Sequence, residues 1–212
     1  MGIHNIPRDP ALKNRQHEVP QSGFGYFRRQ KWTNPAALSL TALKTGVATS
    51  NTVTTTVSTF DAQPDFARCI SVDPGGTTAD VPAGDVTVNG TNIRGEVISD
   101  TITFAANATA ALATTKAFKT VTSVVFPIQD GAAATYDIGY TDALGLDRCM
   151  SGNEVLAVTM DGVYETTRPT VTANATDVSK NTVDPNTALD ASKDVVADFI
   201  STEKTAKVGS TA

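Results

Sequence analysis

Histidine occurs only at positions 4 and 17 of the 212-residue chain. Ser-His and Cys-His nucleophile pairs need an imidazole beside the attacking group, and most protein zinc sites use one as ligand. Everything beyond His17 therefore lacks both a histidine base and a histidine ligand. Cys69 and Cys149 have no CxxC partner and no neighbouring histidine. They read as small, half-buried side chains that stay reduced in a protein without a secretion signal, with a disulfide left open. Asp130, Asp137, Asp142 and Asp147 fall in or near loops, where carboxylates can join carbonyls around Ca²⁺. Their spacing matches no calcium loop, so solvated turn aspartates are the simpler reading. A glycosidase would need two facing carboxylates, and an aromatic content of 6% provides little for a sugar platform. Gly75-Gly76 and Gly90…Gly95 are followed by no Lys-Ser/Thr and read as turn glycines, not as a phosphate cradle. The expectation is a protein that is not an enzyme, with no catalytic residue, no metal and no cofactor.

The remaining chemistry lies near the N-terminus, in GFGYFRRQKW. Aromatic and arginine side chains dominate the energetics of protein interfaces, so Phe24, Tyr26, Phe27, Arg28, Arg29 and Trp32 are the candidate partner-binding residues. In residues 1–33, Arg8, Lys13, Arg15, Arg28, Arg29 and Lys31 outnumber Asp9 and Glu18 by four, which leaves an excess of nine negative charges on the remainder of a chain with net charge −5. A basic segment on an acidic body suits an acidic partner surface, or a solvated leader. A patch this short on an acidic protein is a weak nucleic-acid signal, and nucleic acid is not the expected partner. The segment has no period and contains Pro7, Pro10 and Pro20, so residues 1–33 read as an extended arm.

The elements that would position these groups are strands. Between Gly84 and Pro127, Val, Ile, Phe and Thr alternate with period two, the mark of antiparallel strands with one buried face. The pattern predicts a hairpin of Asp85–Val88 and Glu96–Phe104 around GTNIRG, with Asn89-Gly90 as turn or bulge, and a strong strand at Lys119–Phe126. Further strands are expected over 34–46, Thr52–Phe60, Arg68–Val72, Thr135–Tyr140, Asp177–Val183 and Lys193–Ile200. Glu154–Met160 and Val163–Thr167 should pair across Asp161-Gly162. Asp73-Pro74-Gly75-Gly76 reads as a turn, and the Ala-rich stretch 105–116 as a loop. No helical period and no apolar stretch near the ~20 residues of a membrane span is present. The first residues lack the apolar region of a secretory signal, which predicts cytoplasmic synthesis. The expected fold is all-β, an antiparallel sandwich or barrel-like domain over 34–200, with an extended N-terminal arm at 1–33 and a flexible tail at 201–212.

Several blocks carry a resemblance. PDFARCISV, DVTVNGTNIRGEVISDTITF, KAFKTVTSVVFP and YTDALGL together resemble tailed-phage virion structural proteins of the head decoration (cement) or head-fibre type. The matching positions are Pro64, Asp65, Arg68, Gly84, Val86, Gly90, Gly95, Glu96, Ile98, Asp100, Lys116 to Ser123, Asp142, Leu144, Gly145 and Leu146; residues 1–33 do not share the pattern. The resemblance implies a structural protein made in the host cytoplasm and carried on the outer capsid surface of the virion. Its partner would be the major capsid protein, its neighbours further copies of itself, and no membrane would be involved. A tail, collar or fibre component is the alternative within the same class, and a carbohydrate-binding attachment module the alternative outside it.

Overall fold

The computed structural model describes residues 25–203. His4, His17 and Phe24 lie outside them, as do residues 204–212 of the expected tail. The described chain is all-β and antiparallel, built as three sheets. Its strands are β1 (Tyr26–Trp32), β2 (Ser39–Ala48), β3 (Thr55–Val57), β4 (Arg68–Gly76), β5 (Gly84–Thr91), β6 (Val97–Phe104), β7 (Leu112–Phe118), β8 (Thr120–Phe126), β9 (Ala134–Gly145), β10 (Val155–Met160), β11 (Val163–Tyr164), β12 (Thr170–Thr172), β13 (Thr182–Asp184) and β14 (Val195–Ser201).

A central sheet runs β12-β13-β9-β4-β7, with β2 pairing the first part of β9. The hairpin sheet β3-β8-β5-β6 packs against one part of it. Val86, Val88, Ile102, Val121, Val124 and Phe126 from the hairpin sheet meet Ile70, Val72, Tyr136 and Ile138 from the central sheet in a first core. Alternation along β5 puts Val86 and Val88 on one face, and along β8 the extra residue Thr122 returns Val121 to the face of Val124 and Phe126. The terminal sheet β1-β14-β10-β11 closes a second core of Trp32, Leu144, Leu146, Met150, Val158 and Phe199, among others. Strand β9 is the spine that reaches both cores, through Tyr136 and Ile138 to the first and Leu144 to the second.

The blocks that carry the resemblance have structural work in this arrangement. The hairpin turn spans Asn92 to Glu96, and the Asn92 side chain accepts from the Arg94 and Glu96 N–H groups at 2.9 and 3.1 Å. Asn89-Gly90 is neither the turn nor the bulge: both residues pair in step with β6, and the register shift against β8 places the extra residue, Thr122, on β8. A Cβ at Gly90 would collide with the Thr120 carbonyl, which explains glycine at that point of close approach. Asp100 on β6 accepts from the Thr115 and Lys116 N–H groups of β7 at 2.6 and 2.9 Å, clasping the edge of the hairpin sheet to the edge of the central one. The Asp161-Gly162 hairpin is also as expected: φ values of 50° and 78° give the two left-handed residues of a type I′ turn.

Several expectations need correction, among them the strand at Thr52–Phe60, which is extended only over Thr55–Val57. Asp73 to Gly76 is not a turn but the end of β4, paired with Asp137 to Ala134 of β9. Pro74 is tolerated because β7 pairs β4 only as far as Val72, so β4 is already an edge on that flank. The Ala-rich loop ends early, since Leu112–Phe118 is a strand whose backbone bonds come from β4 and from Asp100. In Asp177–Val183 a short 3-10 turn at Val178–Lys180 comes first, capped by the Asp177 side chain, and only Thr182–Asp184 is extended. The last correction concerns the arm. Residues 26–32 are a full strand of the terminal sheet, paired residue for residue with β14 from Tyr26↔Ser201 to Trp32↔Val195.

Candidate functional site

Because β1 is a strand, its side chains alternate between two faces, and the six candidate partner-binding residues do not form one patch. Tyr26, Arg28 and Trp32 share the inner face, whereas Phe27 and Arg29 share the outer one with Lys31. Trp32 is 1% exposed and belongs to the second core. Arg28 donates from Nη2 to the Glu203 carbonyl at 3.1 Å, and its guanidinium lies 5.8 Å from the Tyr26 ring centroid. Gln30, on the same face, ties β1 to the end of β9 through the Gly145 carbonyl and the Asp147 N–H. The inner residues are thus occupied in holding the terminal sheet down. Phe24 lies outside the described residues.

On the outer face, Arg29 sits directly opposite Asp198 and makes a two-pronged ion pair with it, Nε and Nη2 each 2.6 Å from a carboxylate oxygen. Lys31 reaches Asp194 at 2.5 Å and holds that carboxyl below the usual aspartate range. Arg29 and Lys31 are therefore matched by carboxylates within the fold, whereas Arg8, Lys13 and Arg15 lie outside the described residues. The partners Asp194 and Asp198 lie more than 160 residues further along, which no local reading of charge can anticipate. Phe27 remains 45% exposed and is, among the described residues, the one aromatic candidate left facing solvent.

This outer face carries a trough of about 570 Å³ that sequence reasoning missed. Its floor is formed by the small side chains of Ala157, Thr159 and Val196; Arg29 and Lys31 stand on one side and Tyr164 on the other. In the sequence Tyr164 is only a residue of the expected hairpin strand Val163–Thr167. Its exposure follows from its position on the two-residue edge strand β11, which the sequence pattern overestimates in length.

The other candidates for chemistry do not converge. Asp130 is an exposed turn residue, Asp137 accepts from the Gly46 N–H at 2.6 Å, Asp142 from the Leu189 N–H at 3.3 Å, and Asp147 contributes backbone atoms to Arg94 and Gln30. Among the described residues no three metal-ligating side chains come together. Cys69 and Cys149 are both buried and unpaired. Burial pushes the Cys69 thiol up to about 12 and the Cys149 thiol to about 11, so both are protonated and poor nucleophiles at neutral pH.

A second groove, about 290 Å³, is lined mainly by threonines of the central sheet together with Cys69 and Asp184. Burial, and then the charges of Asp142 and Glu165, raise the Asp184 carboxyl above its ordinary value. A raised carboxyl favours the folded state when protonated. The corresponding stability is fully present below the unfolded value near ~3.9 and is lost as pH rises through the folded value. Asp184→Asn is therefore expected to stabilise the protein at pH 7, with the gain disappearing below about pH 4; urea melts at the two pH values check this.

No protein-family profile, no curated protein and no solved structure matches this chain.

Proposed function

We propose that this chain is a capsid decoration protein of a tailed phage, binding the outside of the head and bridging neighbouring major-capsid subunits. The reading rests on the four sequence blocks and on one structural observation. Among the described residues strand β1 is an edge strand, and its pairing with β14 sets Tyr26 against Ser201. The described chain therefore begins and ends at one corner, beside a sheet edge that no other described strand pairs. An edge of seven residues supplies backbone donors and acceptors to a neighbouring extended segment, whatever its sequence. Twenty-four residues can span up to about 80 Å when extended, far enough to reach past one subunit boundary. Repetition over a shell multiplies modest single contacts into tight retention. The function in this account is additive interface, and the β body is a rigid mount.

Co-sedimentation with phage heads lacking this protein tests the reading. The full-length protein is expected to pellet with the heads. A variant without residues 1–24 should bind at least tenfold more weakly while melting cooperatively, since residues 25–203 close both cores. A full-length protein that does not pellet with the heads would refute the decoration role, and undiminished binding of the truncated form would refute the clamp.

A further inference from the structure

The trough on the outer face of the terminal sheet has no part in the decoration role, and its composition selects one kind of ligand. Strand register fixes its plan. One row across the sheet runs Lys31, Val196, Thr159, Tyr164, and the next runs Arg29, Asp198, Ala157. With about 4.8 Å between strands, the row from Lys31 to Tyr164 is on the order of 14 Å wide. A cationic wall thus faces a phenol ring, 67% exposed, across a flat floor of small side chains. Asp161 in the hairpin turn and Asp194 before β14 also border it.

Charge excludes several occupants. Three carboxylates against two cations leave the trough with a net negative charge, which disfavours phosphate groups, nucleic acid and anionic lipid. The floor is too small-featured and too polar at its rim to seat the bulky side chains of an amphipathic peptide. What remains is a neutral polyhydroxylated ring. Each of its hydroxyls both donates and accepts, so it can give to Asp161 and Asp198 and take from Arg29 and Lys31. Arg29 spends Nε and Nη2 on Asp198, which leaves its Nη1 amine to the trough. Lys31 retains two of its three donors after pairing with Asp194. The ion pairs hold these groups in place before any ligand arrives, which lowers the ordering cost of binding. The apolar face of a pyranose ring can lie on Tyr164, as apolar groups pack on aromatic faces.

We propose that this trough is a binding site for neutral oligosaccharide, with Tyr164 as the stacking platform and Asp161, Arg29 and Asp198 as the hydroxyl-recognising groups. The proposal involves no bond cleavage. It is independent of the head-binding reading: it uses the face of the terminal sheet, whereas the clamp uses the β1 edge and residues 1–24.

Titration calorimetry of the full-length protein with chitotriose, cellotriose and trigalacturonate tests it. Saturable binding of at least one neutral trisaccharide is expected, with trigalacturonate at least tenfold weaker. Tyr164→Ala should weaken that binding about tenfold, and Asp161→Asn, which suits the positive φ of the turn, severalfold. Both variants should keep the parent melting curve and the parent binding to heads. No saturable binding of either neutral sugar at concentrations of order 10 mM would overturn the proposal. So would preference for the galacturonate, or binding unmoved by Tyr164→Ala. Loss of sugar binding with head binding intact separates failure of this site from failure of the decoration role.

Discussion

Replacing Arg68 with alanine is expected to destabilise the protein by about 3–5 kcal/mol, from two carbonyls left without a donor, at about 1–3 kcal/mol each, and the void of a fully buried side chain. Arg68 is fully buried at the start of β4. Its Nη2 donates to the Ala36 carbonyl at 2.7 Å and to Asp65 at 3.1 Å, its Nη1 donates to the Thr141 carbonyl at 3.2 Å, and its guanidinium lies 4.7 Å from the Tyr140 ring centroid. The position of Thr141 explains the need for a cation. Between the pairs Ile70↔Tyr140 and Arg68↔Leu144, β9 uses two more residues than β4, so residues 141–143 bulge out of the ladder and leave a carbonyl to be satisfied. Asp65 completes the joint by accepting the Ala36 N–H at 2.8 Å. One guanidinium therefore fastens the approach to β2, the start of β4 and the bulge of β9, where the first core gives way to the second. Alanine would orphan two carbonyls and a carboxylate and leave a void. For a domain of this size the loss corresponds to a fall in melting temperature of about 6–20 °C. A change below about 1 kcal/mol in a urea melt would show that the joint is peripheral.

The second large effect concerns the N-terminal strand. Trp32→Ala is expected to cost about 3–5 kcal/mol, the usual range for emptying a buried tryptophan site. Deleting residues 1–33 should do more. It strips β14 of one of its two partners and opens the core around Val195, Ala197 and Phe199. Deleting residues 1–24 leaves both cores closed. Trp32 is the chain's single tryptophan, so its fluorescence reports directly on the second core. The full-length protein and the 1–24 deletion should show blue-shifted emission and one cooperative transition, coincident by fluorescence and circular dichroism. The 1–33 deletion should lose cooperative unfolding. A 1–33 deletion that melts like the parent would mean that β1 is dispensable to the fold and that the strand assignment is wrong.

The two predictions also mark where the sequence is readable. The Gly84–Pro127 run was legible because a half-buried antiparallel hairpin imposes its period on consecutive residues, and Asp161-Gly162 was legible because a two-residue turn demands left-handed backbone. Strand β7 was hidden because its backbone partners, β4 and Asp100, are supplied from elsewhere and leave no alternation in an Ala-Thr stretch. Asp73 to Gly76 has the composition of a turn and is extended because β9 holds it. The N-terminal patch misled for a similar reason. Tyr26, Arg28 and Trp32 satisfy an interior that only β14 and residue 203 complete, and Arg29 and Lys31 are neutralised by Asp198 and Asp194. Aromatic and basic residues in alternation are equally the signature of an interface and of an amphipathic edge strand. The trough went unseen because its residues come from four strands whose order, β1-β14-β10-β11, cannot be read from any one segment.

The central claim is that this β body is carried on the outside of a phage head. Imaging of heads reconstituted with the purified full-length protein tests it most directly. The account predicts added density at fixed lattice positions on the outer surface, matching the three-sheet body, with the β1 edge and its adjoining corner turned towards capsid subunits. Shells that remain bare, or density confined to a ring at the tail vertex, would contradict it.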